Sequence, residues 1–215
     1  MSDTYGKSVT LTIFGESHGP AVGATVTGLA PGVPVDMEFM RGQMEKRRAK
    51  GKISTSRTEA DAVRVLSGVY RGAATGTALT LVIENTNTRS GDYTKTEELL
   101  RPGHADFTAY AKYHGFQDAR GGGHFSGRLT APLCFAGAVA LQILARRGVT
   151  VGARIAEIAG VCDGPAEEEA RFLSAREKEF PVADDDRGAQ MREAIAAAKR
   201  EGDSVGGVVE ARAYG

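Results

Sequence analysis

Three motifs of this chain set a histidine beside glycine at a turn: Phe14-Gly15-Glu16-Ser17-His18-Gly19, Arg101-Pro102-Gly103-His104-Ala105-Asp106, and Gly121-Gly122-Gly123-His124. The whole chain holds four histidines. An imidazole gains or loses its proton near neutral pH, and glycine lets a ligand come close to the backbone. The pattern therefore points to proton transfer at a polar, glycine-lined site. A plainer reading of the first run is a turn in which Ser17 and His18 bond the backbone and Glu16 is a solvated charge. Asp106 either brackets His104 together with Arg101 or caps the helix that follows, and the two roles are compatible.

The segment from Gly121 to Arg128 reads as an anion or cofactor cradle, because a glycine-rich loop opening a helix presents free backbone N–H groups. It is not a Walker A motif: Gly122 and Gly127 have the spacing, but Arg128-Leu129 replaces the Lys-Ser/Thr pair. It is not a dinucleotide fingerprint either, since Ser126 occupies the third glycine position. Ser126 and Arg128 remain as side-chain donors. A cation near a helix start opposes the dipole, so Arg128 there is better explained by a bound anion than by solvation. Arg47, Arg48, Lys50, Lys52 and Arg57 cluster around a helix end beside Thr55, Ser56 and Thr58. They form either a solvated face or a phosphate site. His104, His114 and His124 recur at a spacing of ten, which matches no metal-ligand pattern. A Ser-His-Asp hydrolase is not indicated: Gly15-Glu16-Ser17-His18-Gly19 has the GxSxG spacing, but two strand-like segments flank it where a nucleophile elbow needs a strand and a helix.

Charge is unevenly spread although the formal net charge is zero. Residues 1–150 carry 18 Lys+Arg against 13 Asp+Glu, and the remainder carries 9 against 14. The basic part holds the histidines, which favours a small anionic ligand. Nucleic acid is not favoured: no basic run exceeds Lys46-Arg47-Arg48, and tryptophan is absent. With 215 residues, 41% hydrophobic and 25% charged, the chain can bury a real core as one large domain or two small ones. Cys134 and Cys162 show no CxxC spacing and read as buried thiols in a reducing compartment. The N-terminus lacks an apolar signal core, and the apolar stretch Ala131–Ala145 is shorter than the ~20 residues that span a bilayer. The expectation is a soluble cytoplasmic protein with no membrane or nucleic-acid partner.

The elements that must position these groups follow from pattern. Ser8–Phe14 and Ala21–Thr27 alternate and should pair antiparallel around the first histidine turn. Asp36 can cap a helix running to about Lys50. Ala62–Tyr70 and Ala78–Glu84 are two more strands, and Asn85–Tyr93 is turn-like. A short helix spans Asp106–His114, with Tyr110, Tyr113 and Phe116 packing it. A buried helix spans Gly127–Arg147 and stops at Gly148. Residues 149–158 and Val205–Ala213 are strands flanking an acidic segment and an amphipathic helix over Arg187–Arg200. This order suits an α+β fold better than repeated βαβ units.

Over its whole length the sequence resembles the chorismate synthase family. The resemblance rests on FGESHG, TSRTEAD with VLSGVYRGAATG, IENTNTRSGDY, RPGHADF and RGGGHFSGRLTA, in the family's order. It implies a single domain over 1–215, a layered β-α-β sandwich with mostly antiparallel sheets and helices packed between or against them. It also implies 1,4-anti elimination of phosphate from 5-enolpyruvylshikimate 3-phosphate to give chorismate, in aromatic amino acid biosynthesis. That reaction requires reduced FMN, with NADPH a candidate reductant, and family members are typically homotetramers. On the family's pattern His18 protonates the departing phosphate, and His104 protonates the reduced flavin. His124, Phe125 and Ser126 fall in the flavin-contacting block, Arg48 touches flavin and substrate, and Arg57 and Arg128 engage substrate anions. Many members read GGRSSARET where this chain has His124-Phe125-Ser126-Gly127-Arg128-Leu129-Thr130. Members also exceed three hundred residues, so the resemblance implies an N-terminal portion lacking a C-terminal part. The alternative is a flavin- or phosphate-binding fragment without turnover.

Overall fold

The computed structural model describes residues 3–48, 53, 60–86 and 99–215. They form two compact units: residues 3–48, 60–86 and 99–142 make the first, and Ile53 with residues 143–215 the second.

The first unit is built on strands β1 (Thr4–Gly6), β2 (Thr10–Gly15), β3 (Ala21–Thr27), β4 (Val63–Ser67) and β7 (Leu79–Glu84), with a small ribbon of β5 (Val69–Tyr70) and β6 (Ala73–Ala74). Five of these form one sheet in the order β1-β2-β3-β7-β4, every neighbouring pair antiparallel. Period-two alternation sorts its side chains. Leu11, Val26 and Leu79 stand in one row, and Ile13, Ala24, Leu81 and Val65 in the next. Ala24, Leu79, Leu81 and Ile83 are completely buried, each large one contributing about 1.5–3 kcal/mol of apolar burial. The opposite face carries hydroxyls. Thr4, Thr12, Thr25, Thr80 and Ser67 align across all five strands, with Thr4–Thr12 and Thr25–Thr80 bonds of 2.7 and 3.1 Å.

The expected strand Ala62–Tyr70 is interrupted at Gly68. Its φ is +85°, and a Cβ there would lie 2.3 Å from the Leu79 Cα, so the chain turns away and Val69–Tyr70 joins the ribbon instead. Helix α1 (Met37–Arg47) starts where Asp36 predicts: its carboxylate accepts from the Glu38 and Phe39 amides at 2.8 and 3.1 Å. It stops at Arg47, short of Lys50. Helix α2 (Asp106–Tyr113) is the short helix foreseen. Helix α3 (Thr130–Ala145) begins after two 3₁₀ turns, Gly123–Phe125 and Gly127–Leu129. It buries Ala131, Pro132, Phe135, Ala138 and Val139, while Leu133 stays 45% exposed, so one face is buried rather than the whole helix. By length and composition Gly127–Ala145 could cross a membrane, a test that core helices also pass. Gln142, the polar interruption, accepts the Asp36 amide at 2.8 Å.

The second unit has a three-stranded antiparallel sheet in the order β10 (Gly207–Tyr214), β8 (Thr150–Ile158), β9 (Val161–Cys162). Helix α5 (Asp185–Arg200) begins earlier than expected because Asp184 caps it. Helix α4 (Glu169–Ala175) was not foreseen in the acidic segment. It rests on β8 through Phe172, which is fully buried against the side-chain-free Gly152. Arg154 is buried here with Asp163 at 2.6 Å and Glu210 at 2.9 Å, and Asp163 also accepts the Ala183 and Asp184 amides.

Some local expectations fail. Cys162 is exposed and Cys134 only half-buried, because a two-residue edge strand and a one-sided helix cover little. Tyr110 and Phe116 point outward at 53% and 92% exposure, so of the three aromatics only Tyr113 is substantially covered.

Candidate active site

The first and third histidine turns interlock. The Ser17 amide donates to the Gly123 carbonyl at 3.1 Å, and His124 Nδ1–H donates to the Gly15 carbonyl at 2.9 Å. Ser17 is fully buried, and its hydroxyl lies 3.0 Å from His18 Nδ1 and 3.5 Å from the Arg120 carbonyl. Gly121 has φ +60°, and a Cβ there would fall 2.4 Å from the His18 ring, so glycine is what lets the imidazole pack against this backbone. Two turns a hundred residues apart thus share one local structure.

The second turn joins through Arg101 rather than through its histidine. Arg101 donates to both oxygens of Asp106, Nε–H at 2.7 Å and Nη2–H at 2.9 Å, and also reaches the Gly121 carbonyl. The Arg101 amide adds a further bond at 2.9 Å. Asp106 therefore does not cap α2, whose N-cap position is Ala105; it serves the arginine instead. His104 is exposed, with Nδ1 3.2 Å from the Pro102 carbonyl.

Those Arg101 bonds hold the Asp106 carboxyl well below the usual range, to about 2. A depressed folded-state pKa stabilises the fold above the unfolded value near 3.8, and that contribution disappears as pH falls from there through 2. Asp106→Asn should lower stability by about 1 kcal/mol at pH 6, the pair being partly solvent-screened. Its urea midpoint should converge with the wild-type midpoint near pH 2. Equal midpoints at pH 6 would show that the pair contributes nothing.

A cavity of about 410 Å³ opens beside these turns. Its walls include Phe14, Tyr113 and Phe125, the backbone of Gly121 and Gly122, and the side chains of Arg101, His124 and Glu16. The Tyr113 and Phe125 ring centroids lie 6.1 Å apart, with Lys112 Nζ over both. Neither His18 nor His104 lines it; His18 packs against Gly121, a residue of its wall. The size matches small-molecule sites, and the aromatic walls suit a planar ring system.

Below the turns lies a buried ionic group. The Asp61 side chain is 2% exposed and pairs with both Arg47 and Arg128, leaving a net positive charge. All three Arg128 side-chain nitrogens have protein partners: Asp61, the Asn85 oxygen at 2.9 Å and the Glu84 carbonyl at 3.3 Å. Ser126 caps the second 3₁₀ turn by accepting the Arg128 amide at 3.2 Å. Arg48 pairs with Glu45 at 2.6 Å and keeps 31% of its side chain exposed. Arg57 lies outside the described residues. The structure thus brings together His18, His124, Phe125, Ser126 and Arg128, and leaves Arg48 and His104 at the periphery of that group.

Sequence reasoning missed Asp61 and Asn85. Asp61 adopts φ +50°, a conformation that aspartate tolerates better than most residues. It closes the TSRTEAD motif, which marked the family without marking this residue's role. Asn85 follows the last residue of β7 and looked like an ordinary turn residue.

A solved structure described as a crystal structure of chorismate synthase superposes with a TM-score of 0.72, covering 96% of this chain and 58% of that one at 23% identity. The fold is therefore that of chorismate synthase, an α+β arrangement of antiparallel sheets and helices. The chorismate synthase family pattern matches residues 9–215. Curated relatives agree. Chorismate synthase of Aeropyrum pernix is 45% identical over 221 residues, spanning 99% of this chain and 56% of that protein. That of Thermococcus kodakarensis is 43% identical over 211 residues, spanning 97% and 58%. The chain belongs to the chorismate synthase family. It spans somewhat more than half the length of the relatives it matches.

Proposed function

We propose that this chain carries part of a chorismate synthase active site, acting on 5-enolpyruvylshikimate 3-phosphate with reduced FMN. The observation that supports this most directly is the interlock of the Gly15–Gly19 and Gly121–Ser126 turns, which seats His18 on Gly121 at the wall of an aromatic cavity. In a 1,4-anti elimination the C–O bond to phosphate breaks while a proton leaves the far carbon of the allylic unit. The departing oxygen accumulates charge, and an imidazolium beside it can donate a proton. His18 takes that role, with Ser17 holding its Nδ1 side so that Nε2 is directed to the reaction. His104 keeps the second proton-transfer role, on an exposed turn anchored through Arg101.

The cavity's volume and its Phe14, Tyr113 and Phe125 walls suit an isoalloxazine ring, which His124 and Phe125 would help to hold, with Ser126 shaping the adjoining turn. Reduced FMN supplies a reversible source of electrons to a reaction with no net redox change. On the family's pattern Arg48 and Arg57 would bind the substrate's anionic groups. Arg128 contributes as a buried positive charge, since its donors already have partners. The same reading carries a cytoplasmic homo-oligomer, tetrameric as in the family, with NADPH as the ultimate reductant.

The deciding experiment is anaerobic incubation of the chain with 5-enolpyruvylshikimate 3-phosphate and chemically reduced FMN, following chorismate and phosphate together. Stoichiometric release of both supports the reading. Tight FMN binding without either product would favour the binding-fragment alternative. Failure of both binding and turnover would remove the functional assignment from this chain.

A further inference from the structure

The reading of His18 as a proton donor leaves open what holds its turn in place. Residues 16–19 form a tight turn closed by the Gly19 amide on the Glu16 carbonyl at 3.1 Å. The two carbonyls that bound it, Glu16 and Gly19, both point at one side chain. The Asn85 Nδ2 group donates to Glu16 O at 3.0 Å and to Gly19 O at 2.8 Å. The β3–β7 register explains the reach. Ala21 pairs with Glu84, so Asn85 follows opposite Pro20, and its own amide donates to the Pro20 carbonyl at 3.0 Å.

The Asn85 amide has only one chemically consistent orientation. Arg128 Nε–H sits 2.9 Å from it and can only donate, so the amide oxygen must face the arginine. Both N–H bonds of Nδ2 are then available to the two turn carbonyls. Arg128 is in turn held by buried Asp61, which also engages Arg47. A continuous line of hydrogen bonds thus runs from Arg47 through Asp61, Arg128 and Asn85 to the backbone on either side of Ser17 and His18.

We propose that Asn85 is a positioning residue for His18, its amide clamping the Glu16 and Gly19 carbonyls while Arg128 sets the amide's orientation. The proposal rests on the functional reading above for its kinetic consequence, but not for its geometric one. No shorter or purely accepting side chain reproduces it: alanine offers no donor, and aspartate would oppose two carbonyls with a carboxylate.

The test is Asn85→Ala, read by ring ¹⁵N and ¹³C NMR of the histidines and by steady-state kinetics. The His18 ring signals and tautomer balance should shift, while those of His104 and His114, on other segments, stay in place. The kcat should fall about 10- to 100-fold with KM within about twofold, the usual result of a misplaced catalytic group. Lost thermal stability with unmoved His18 signals and unchanged kcat would show a merely structural role and overturn the proposal. Should Asn85→Ala not fold, Arg128→Lys keeps a cation beside Asp61 but deletes the Nε–H that orients the amide. It should move the same His18 signals, and unchanged signals there would equally overturn the clamp. If the wild-type chain forms no chorismate, the functional reading fails, while the NMR comparison still decides the role of Asn85.

Discussion

Replacing His18 with alanine should cut chorismate formation about 100- to 10,000-fold while the protein stays folded. The range is that of a lost general acid, and it applies because phosphate leaves poorly as its most charged form. The imidazole is half-buried, seated on Gly121 and bonded to the buried Ser17 hydroxyl, so its position is constrained before substrate arrives. The Asp118 carboxyl is held below its usual range chiefly by its hydrogen bond from Arg120, with His18 a smaller contributor. The measurement is kcat for the variant under anaerobic conditions with reduced FMN, beside a thermal melt. A kcat within threefold of wild type would remove His18 from the chemistry. A collapsed melt would instead assign it to the interlock of the two turns.

The second large effect concerns stability. Asp61→Asn should destabilise the first unit by about 3–5 kcal/mol, the usual cost of leaving a buried partner charge uncompensated. Arg128 is 4% exposed on its side chain and cannot turn to water, whereas Arg47, at 21%, can do so in part. Asparagine is the informative replacement because it tolerates the φ of +50° as well as aspartate does, so the change isolates charge from backbone strain. For a chain of this size the loss corresponds to a melting temperature lower by roughly 6–20 °C. A drop under 2 °C would mean that water or a rearranged Asn85 replaces the carboxylate. Because Arg128 orients Asn85, the same variant should also lower turnover.

Much of the scaffold was legible in one dimension. The alternation in Thr10–Gly15, Ala21–Thr27 and Leu79–Glu84 marks strands that bury one face, and the antiparallel pairing of β2 with β3 follows from the short turn between them. Asp36 announces α1 because its side chain bonds amides only two and three residues ahead. Helix α4 was hidden, since it is only seven residues long within an acidic segment and its anchor Phe172 finds a place only where Gly152 leaves room on β8. The break at Gly68 was hidden for a similar reason: the crowding comes from Leu79 on another strand.

The candidate site divides along the same line. By itself the sequence determined its ingredients: the histidines on glycine turns, the basic excess of the first 150 residues, and the membership in a family that these motifs carry. Those are properties of residue type and order, which local chemistry and resemblance can read. Only the tertiary structure decided which groups meet. His124 bonds the turn at Gly15, Arg101 rather than His104 ties the second motif to Gly121, and Asp61 and Asn85 emerge as the groups beneath the site. Each of these contacts except the Arg101–Gly121 bond joins residues more than 40 positions apart. The physical reason is that a hydrogen bond is made within about 3 Å, and whether distant residues come that close depends on sheet register and turn geometry rather than on their types.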